Sequence, residues 1–424
     1  MESGKRVESV DMLRGIAIFM MILCSSIGTH SALPAWMFHC QVPPPDYVFR
    51  PEVRGLTWVD MVFPLFIFAM GAAIPYWLGS KLRKGESVPL VLLRIVKRFI
   101  VLAAFSLAIG HAGAISATDC GPVLAGALQL LVWLCTFAAL WRTRSPWVNV
   151  CGWLAMAGIF LWLHFSHGLV FDFAQNDCII LLLAWAALMG GVIWLFTATR
   201  PVLRLCILAA IIVAKFFGFG FTQYLVIVIP ATFAGELLGG DRTSRNPVAP
   251  FVALAAVVLQ LWGLYTRNVL ADLVVSAALA AVFVLLVRKE KTPSSVIGLA
   301  GFVLLLCGVC FDFHDGGIAK DYCNLSYLFT TGGQSMLVLY FLNWMEGHGV
   351  VSRNLVMTGQ NPMIAYTIAW SVVCPLLYIV GLMDAMNAWA LGSPLMGVVR
   401  GLVVTLLTLA STCVFTRFRI FWKS

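Results

Sequence analysis

RVESVDMLRGIAIFMMILCSSIG (Arg6–Gly28) and LTWVDMVFPLFIFAMGAAIP (Leu56–Pro75) are the two runs whose reading decides the fold. A helix rises about 1.5 Å per residue, so about 20 apolar residues cross a bilayer, and each run is long enough. Between them lies a polar excursion, THSALPAWMFHCQVPPPDYVFRPEVRG (Thr29–Gly55), which carries a histidine beside aromatics and a proline triplet. Two apolar spans joined by a stiff polar loop describe a membrane hairpin with a structured turn.

Working outward, the rest of the chain is of the same kind. Of its 424 residues 61% are hydrophobic and 11% charged, and mean hydropathy is +0.93, against about 25% charged in soluble proteins. The expected fold is all-α, a polytopic transmembrane helical bundle of about 10–14 spans with both termini cytoplasmic, forming a single domain over 1–424. Candidate spans fall near 10–29, 57–79, 90–113, 122–141, 147–165, 178–197, 201–217, 222–240, 248–265, 268–287, 295–311, 324–345, 357–381 and 395–416. The first run lacks a small-residue cleavage site and is expected to remain as a helix.

Charge sets the expected topology. With the amino terminus in the cytoplasm, only Arg50, Arg54, Lys215, Arg267, Lys320 and Arg400 of the 28 Lys and Arg fall at or toward the far side. Most acids map outward, Asp60, Asp312 and Asp321 among them. The net charge of +9 thus reports topology, and nucleic-acid binding needs no invoking. Cys307 and Cys310 form a CxxC inside an apolar run, which reads as packing, since zinc wants more ligands than that run offers. No metal is expected. Cys40, Cys120, Cys178 and Cys323 lie near the far face, where a disulfide is chemically allowed but no pairing is indicated.

The chemistry-bearing residues concentrate in two far-side loops. In the first, His39 follows Trp36, Met37 and Phe38 and precedes Pro43, Pro44 and Pro45, so stiff backbone holds it. A histidine there can act as a general base near neutral pH, or simply face water. His30 is a rival; His111, His164 and His167 read as solvated or structural. Asp60, in TWVDMVFP, either belongs to a helix start capped by Thr57 or orients His39 as the acid of a catalytic relay. Asp11 and Arg14, three residues apart, read as a helix-face pair. The second loop, FDFHDGGIAKDYCNLSYLFTTGG, offers Lys320 to an anionic group, and Ser326 and Tyr327 as caps or ligand donors. TGQNPMIAY puts Asn361 and Pro362 inside an apolar span, where a kink is expected.

RxxSxDxxRG entering the first span, GLTWVDMVFPLFIFAMG in the second, GIAKDYCNLSY in the late loop and TGQNPMIAY after it resemble the heparan-α-glucosaminide N-acetyltransferase family. They are closest to its bacterial, DUF5009-like branch. The matches cover roughly 6–75 and 316–370, with a weaker echo at GALQ. The resemblance implies a multi-pass protein of the inner membrane that moves acetyl from acetyl-CoA to the amine of a terminal glucosamine, as in the glycosaminoglycan heparan sulfate, on the non-cytosolic side. It implies that His39 and Asp60 are catalytic, and that Ser25, Gln129, Lys320, Ser326 and Asn361 contact substrate or CoA. Ser25 stands where the family has an asparagine, Leu130 where it has an arginine after Gln129, and the loop from His39 to Gly55 is longer. A homodimer is compatible with the resemblance, and membrane lipid surrounds the spans.

Amide formation from a thioester needs an uncharged amine and a proton acceptor, which His39 would supply, either directly or after carrying the acetyl itself. Ser25 or Asn361 would steady the oxyanion. Two other readings stay open: an acyltransferase of the same fold acting on another glycan or lipid-linked acceptor, and a secondary transporter, against which no internal repeat is evident.

Overall fold

The computed structural model describes residues 7–30, 32–141, 143, 145–220, 223–238, 246–290 and 292–422. Arg6, which opens the first motif, lies outside them, as do both ends of the expected span 222–240.

Among the described residues every named element is helical. In order come α1 (Glu8–Ser26), α2 (Val62–Arg83), α3 (Val88–Ala114), α4 (Pro122–Leu140), α5 (Pro146–His167), α6 (Cys178–Thr197), α7 (Pro201–Phe216) and α8 (Leu225–Leu237). Then follow α9 (Ala249–Tyr265), α10 (Val269–Val287), α11 (Pro293–His314), α12 (Leu325–Trp344) and α13 (Gly349–Gln360). The last three are α14 (Pro362–Ile379), α15 (Leu382–Gly392) and α16 (Pro394–Arg417). Among the described residues nine helices, α1, α2, α4, α5, α6, α10, α11, α14 and α16, are long and apolar enough to cross a membrane. α8 and α9 are shorter apolar helices. Large apolar side chains such as Trp147, Leu154 and Phe165 on α5 stand exposed, which suits hydrocarbon as the surrounding solvent.

The chain divides into two compact units. The first comprises residues 1–21, 32–95 and 186–356. At its heart α12 packs on α11, α9, α8 and α2, and every α12 residue except Phe341 and Trp344 is buried. Because protein and not lipid surrounds it, α12 can carry polar side chains provided they bond internally. Gln334 Nε2 donates to Gln260 Oε1 at 3.0 Å, and Asn343 Nδ2 to Ser294 Oγ at 3.1 Å. The Thr331 and Ser335 hydroxyls donate to carbonyls one turn back, each at 2.7 Å. Small residues let the backbones approach: a Cβ on Gly235 of α8 would stand 2.2 Å from Ala72 O of α2, and one on Gly308 2.2 Å from Thr330 Oγ1. An ion pair between a buried arginine and a half-buried glutamate ties α7 to α8, with Arg204 Nη1 and Nη2 donating to Glu236 Oε1 and Oε2 at 2.9 and 2.7 Å.

The second unit comprises residues 22–31, 96–185 and 357–424. Its core includes Ala112, Ile115, Cys120, Leu128, Phe160, Leu163 and Leu169, where α4 packs along α5. An apolar cavity of about 450 Å³ is lined by His111, Trp153, Met156, Phe160 and Phe171. The sequence suggests one span over 357–381; the structure instead ends α13 at Gln360, turns at Asn361, restarts at Pro362 and widens into a π turn at Ala369–Val373. Pro362 explains the break, since it has no N–H to continue the ladder. α15, a separate helix of 11 residues, follows it unanticipated.

Candidate active site

The loop before α2 is built by its own backbone. Pro34 opens a short 3₁₀ turn over Ala35–Met37, where Met37 N and Phe38 N donate to Pro34 O and Ala35 O. His39 O accepts from Val42 N at 2.9 Å, and Arg50 N donates to Gln41 O at 2.8 Å, folding the proline segment back on itself. Gln41 Nε2 donates to Val53 O at 3.3 Å, and the Phe38 and Tyr47 rings meet edge to face at 5.0 Å.

Asp60 is the hub of this loop. The expected span 57–79 in fact begins as a helix only at Val62, so Thr57 does not cap α2. Instead Thr57 and Asp60 form a reciprocal turn: Thr57 N donates to Asp60 Oδ2 at 3.0 Å and Asp60 N to Thr57 O at 3.2 Å. Cys40 N also donates to Oδ2, at 3.2 Å. The Thr57 hydroxyl lies 2.8 Å from Phe38 O and 3.1 Å from Oδ2, and its single proton favours the nearer carbonyl. Tyr327 OH donates to Asp60 O at 3.1 Å, anchoring the turn to α12.

The remaining carboxylate oxygen faces His39, whose Nδ1 lies 2.6 Å from Asp60 Oδ1. The Asp60 side chain is 0% exposed and that of His39 41%, so the acid is sealed while the ring is open on one side. Burial alone would raise the Asp60 carboxyl; the His39 bond, the Lys320 charge and the Thr57 N–H overcome it and hold the group below its ordinary value of 3.8. An ionised Asp60 only accepts, so Nδ1 carries the proton and donates it, which leaves the Nε2 lone pair available.

The neighbouring thiol is not a second nucleophile. Burial, with the Asp60 charge adding to it, pushes the Cys40 thiol up to about 12, so near neutral pH it stays protonated. None of the cysteines expected near the far face is disulfide-bonded: Cys40, Cys120, Cys178 and Cys323 are all free.

The second loop meets the first. Gly55 N donates to Ile318 O at 3.1 Å, the Arg54 guanidinium stacks 4.8 Å from the Tyr322 ring centre, and Lys320 Nζ reaches Asp60 Oδ1 at 3.6 Å. Three residues that the sequence reading did not single out for this site hold the loop. Arg267 Nη1 and Nη2 donate to Asp312 Oδ1 and Oδ2 at 2.9 and 3.0 Å, and Ile318 N donates to Asp312 Oδ1 at 2.5 Å. Asn324, and not Ser326, caps α12, its Oδ1 accepting from Tyr327 N at 3.1 Å and from Ala319 N at 3.2 Å. An asparagine directly before an apolar helix was the available signal.

Of the residues singled out from sequence, the structure brings together His39, Asp60 and Lys320. Ser326 lies beside them in chain order but is 0% exposed, its hydroxyl donating to Asn324 Oδ1 at 2.9 Å. Ser25, Gln129 and Asn361 belong to the second unit. There Ser25 is exposed, Gln129 Nε2 donates to Ala112 O at 3.4 Å, and the Asn361 amide is turned to Ile420 O at 2.7 Å and Thr416 Oγ1 at 3.4 Å. Among the described residues no triad of metal-ligating side chains includes His39; such a triad occurs at Asp119, Cys120 and His167.

The helices and their apolar lengths define a multi-pass transmembrane protein. Within that class the chain belongs to the family described as Domain of unknown function (DUF5009), whose model matches residues 6–218. The matched part carries His39 and Asp60 and ends before Lys320. No curated protein matches the chain.

Proposed function

We propose that this protein is a membrane-embedded acetyltransferase of the inner membrane, moving acetyl from cytosolic acetyl-CoA to the amine of a glucosamine-type sugar on the periplasmic side. The observation that carries the reading is the 2.6 Å contact between His39 Nδ1 and the sealed carboxylate of Asp60, with the rest of the ring open. This is the arrangement that orients an imidazole and stabilises its protonated form. The motif resemblance to the heparan-α-glucosaminide N-acetyltransferase family supports the same chemistry, and Lys320 adjoins the pair as one of its matching residues.

In the proposed step the neutral amine attacks the thioester carbonyl carbon, and its proton passes to His39 Nε2. The C–N bond forms, the tetrahedral oxyanion collapses, and the C–S bond breaks. The CoA thiolate leaves and takes the proton back from the imidazolium, regenerating the base. General-base help of this kind contributes about 10²–10⁴-fold. The Lys320 ammonium, 26% exposed, is the nearest cation to the ring and supports developing negative charge. If a covalent acetyl-enzyme forms, His39 is its carrier, because the Cys40 thiol stays protonated.

The test is acetyl transfer by the purified protein in lipid nanodiscs. Radiolabelled acetyl-CoA is offered with glucosamine, with heparan-derived disaccharides bearing a free terminal amine, and with lipid-linked amino sugars. The reading expects labelled N-acetyl sugar and free CoA in equal amounts. Binding of CoA with transfer only to another acceptor redirects the substrate assignment; no binding of CoA at all would favour a transporter.

A further inference from the structure

We propose that Asp119, Cys120 and His167 form a zinc-binding site in the second unit, separate from the His39 chemistry. One ligand atom from each lies within 4.8 Å of the others, and His167 Nδ1 stands 2.7 Å from Asp119 Oδ1. The two sides come from distant parts of the chain. Asp119 and Cys120 sit in the turn between α3 and α4, and His167 ends α5.

Both sides are pinned before any metal arrives. Thr118 N and Oγ1 donate to Ile115 O at 3.2 and 2.7 Å, fixing the turn that leads into Asp119. Cys120 belongs to the buried cluster with Ile115, Leu163 and Leu169, and its Sγ lies within 4.8 Å of the His167 ligand nitrogen at the end of α5. Gly168, at φ 67°, stops α5 directly after His167 and donates its N–H to Leu163 O. The Trp162 and His167 rings meet at 5.0 Å, which limits the swing of the imidazole.

The donor set selects the ion. One thiolate, one imidazole nitrogen and one carboxylate oxygen suit Zn²⁺, whose bonds to them are about 2.0–2.3 Å, and do not suit Mg²⁺ or Ca²⁺, which take oxygen. Zn²⁺ with one thiolate, one carboxylate and a neutral imidazole is electrically neutral, so it places no net charge at the margin of the bundle. Asp119 has 73% of its side chain exposed, so water completes the fourth position. Without a metal, the His167–Asp119 contact is a solvent-screened surface pair that by itself holds little.

The experiment uses the full chain, purified in detergent with its affinity tag removed and stripped with chelator. Co²⁺ is titrated in, and the thiolate-to-cobalt charge-transfer band is followed; Zn²⁺ is then added. The proposal expects a band that saturates at one Co²⁺ per chain and is abolished by one equivalent of Zn²⁺, a result that needs no variant. Cys120→Ser removes the band, and His167→Gln weakens binding by more than the ~10–100-fold that losing an outer-shell partner costs. Cys310→Ser, at an exposed thiol elsewhere, leaves both unchanged. No saturable band in the wild type, or one that survives Cys120→Ser, overturns the proposal. Acetyl transfer is not the readout, so failure here leaves the His39 reading untouched.

Discussion

Lys320 Nζ stands 2.9 Å from His39 Nδ1, although 281 positions separate the two residues in the chain. With Nδ1–H directed at Asp60, this contact is not a hydrogen bond: both partners are donors, and what holds the lysine is the Asp60 carboxylate. One negative charge therefore serves two groups that can be cationic. When His39 is neutral the cluster balances; when His39 takes a proton, one positive charge is left over at a site sealed on the Asp60 side.

Removing Lys320 should therefore take away the positive charge that sits against the ring. In Lys320→Met acetyl transfer is expected to slow by on the order of tenfold, the effect of about 1.4 kcal/mol lost from transition-state stabilisation. Lys320→Arg should recover part of it. Single-turnover rates of acetyl transfer check this, and wild-type turnover in Lys320→Met would refute a role for the lysine charge at the site.

Asp60 makes a separate prediction about stability. Its folded-state value lies below 3.8, so the stabilisation linked to its charge is complete above that pH and is lost as the pH falls through the folded value. Asp60→Asn has no such dependence. The difference in melting temperature between wild type and Asp60→Asn should stay constant from neutral pH to about 5 and close at lower pH. A gap that widens on acidification would reverse the sign assigned here.

Cys40 should be chemically quiet. Its thiol is buried and held up to about 12, so alkylation at pH 7.5 should label it only after unfolding, while the exposed Cys178 reacts in the folded protein. Peptide mapping of the adducts reads the outcome. Rapid labelling of Cys40 in the folded chain would reopen it as a nucleophile.

How far this could be read in advance depended on the kind of signal. Runs such as Val62–Arg83 declare themselves, because hydrocarbon imposes a length and a composition. α12 is harder: its threonines, glycines and glutamine lower its hydropathy because protein shields it, and only the packing shows why. His39 and Asp60 stood out through proline stiffening and a short helix-start motif. Asp312 and Arg267 did not, since a bidentate pair between residues 45 apart leaves no local pattern. The break at Asn361 was legible from Pro362; that its amide would be consumed by Ile420 O was not, because that acceptor comes from the far end of the chain.

The Arg267–Asp312 pair should act on the site through Lys320. Asp312→Ala leaves the buried Ile318 N–H without its acceptor, a loss of about 1–3 kcal/mol, and frees the exposed Arg267 guanidinium to turn to solvent. It should lower the melting temperature and raise KM as well as lower kcat. Asp312→Asn, which keeps an acceptor for Ile318 N, should recover part of the stability. Equal stability of wild type and Asp312→Ala would show that the pair does not hold the loop.

The central claim is tested most directly by single-turnover acetyl transfer with His39→Ala set against wild type, in nanodiscs at saturating acetyl-CoA. The account predicts that the variant still folds and binds CoA but transfers acetyl about 10²–10⁴-fold more slowly, with partial recovery on adding imidazole. Wild-type turnover in His39→Ala would contradict it.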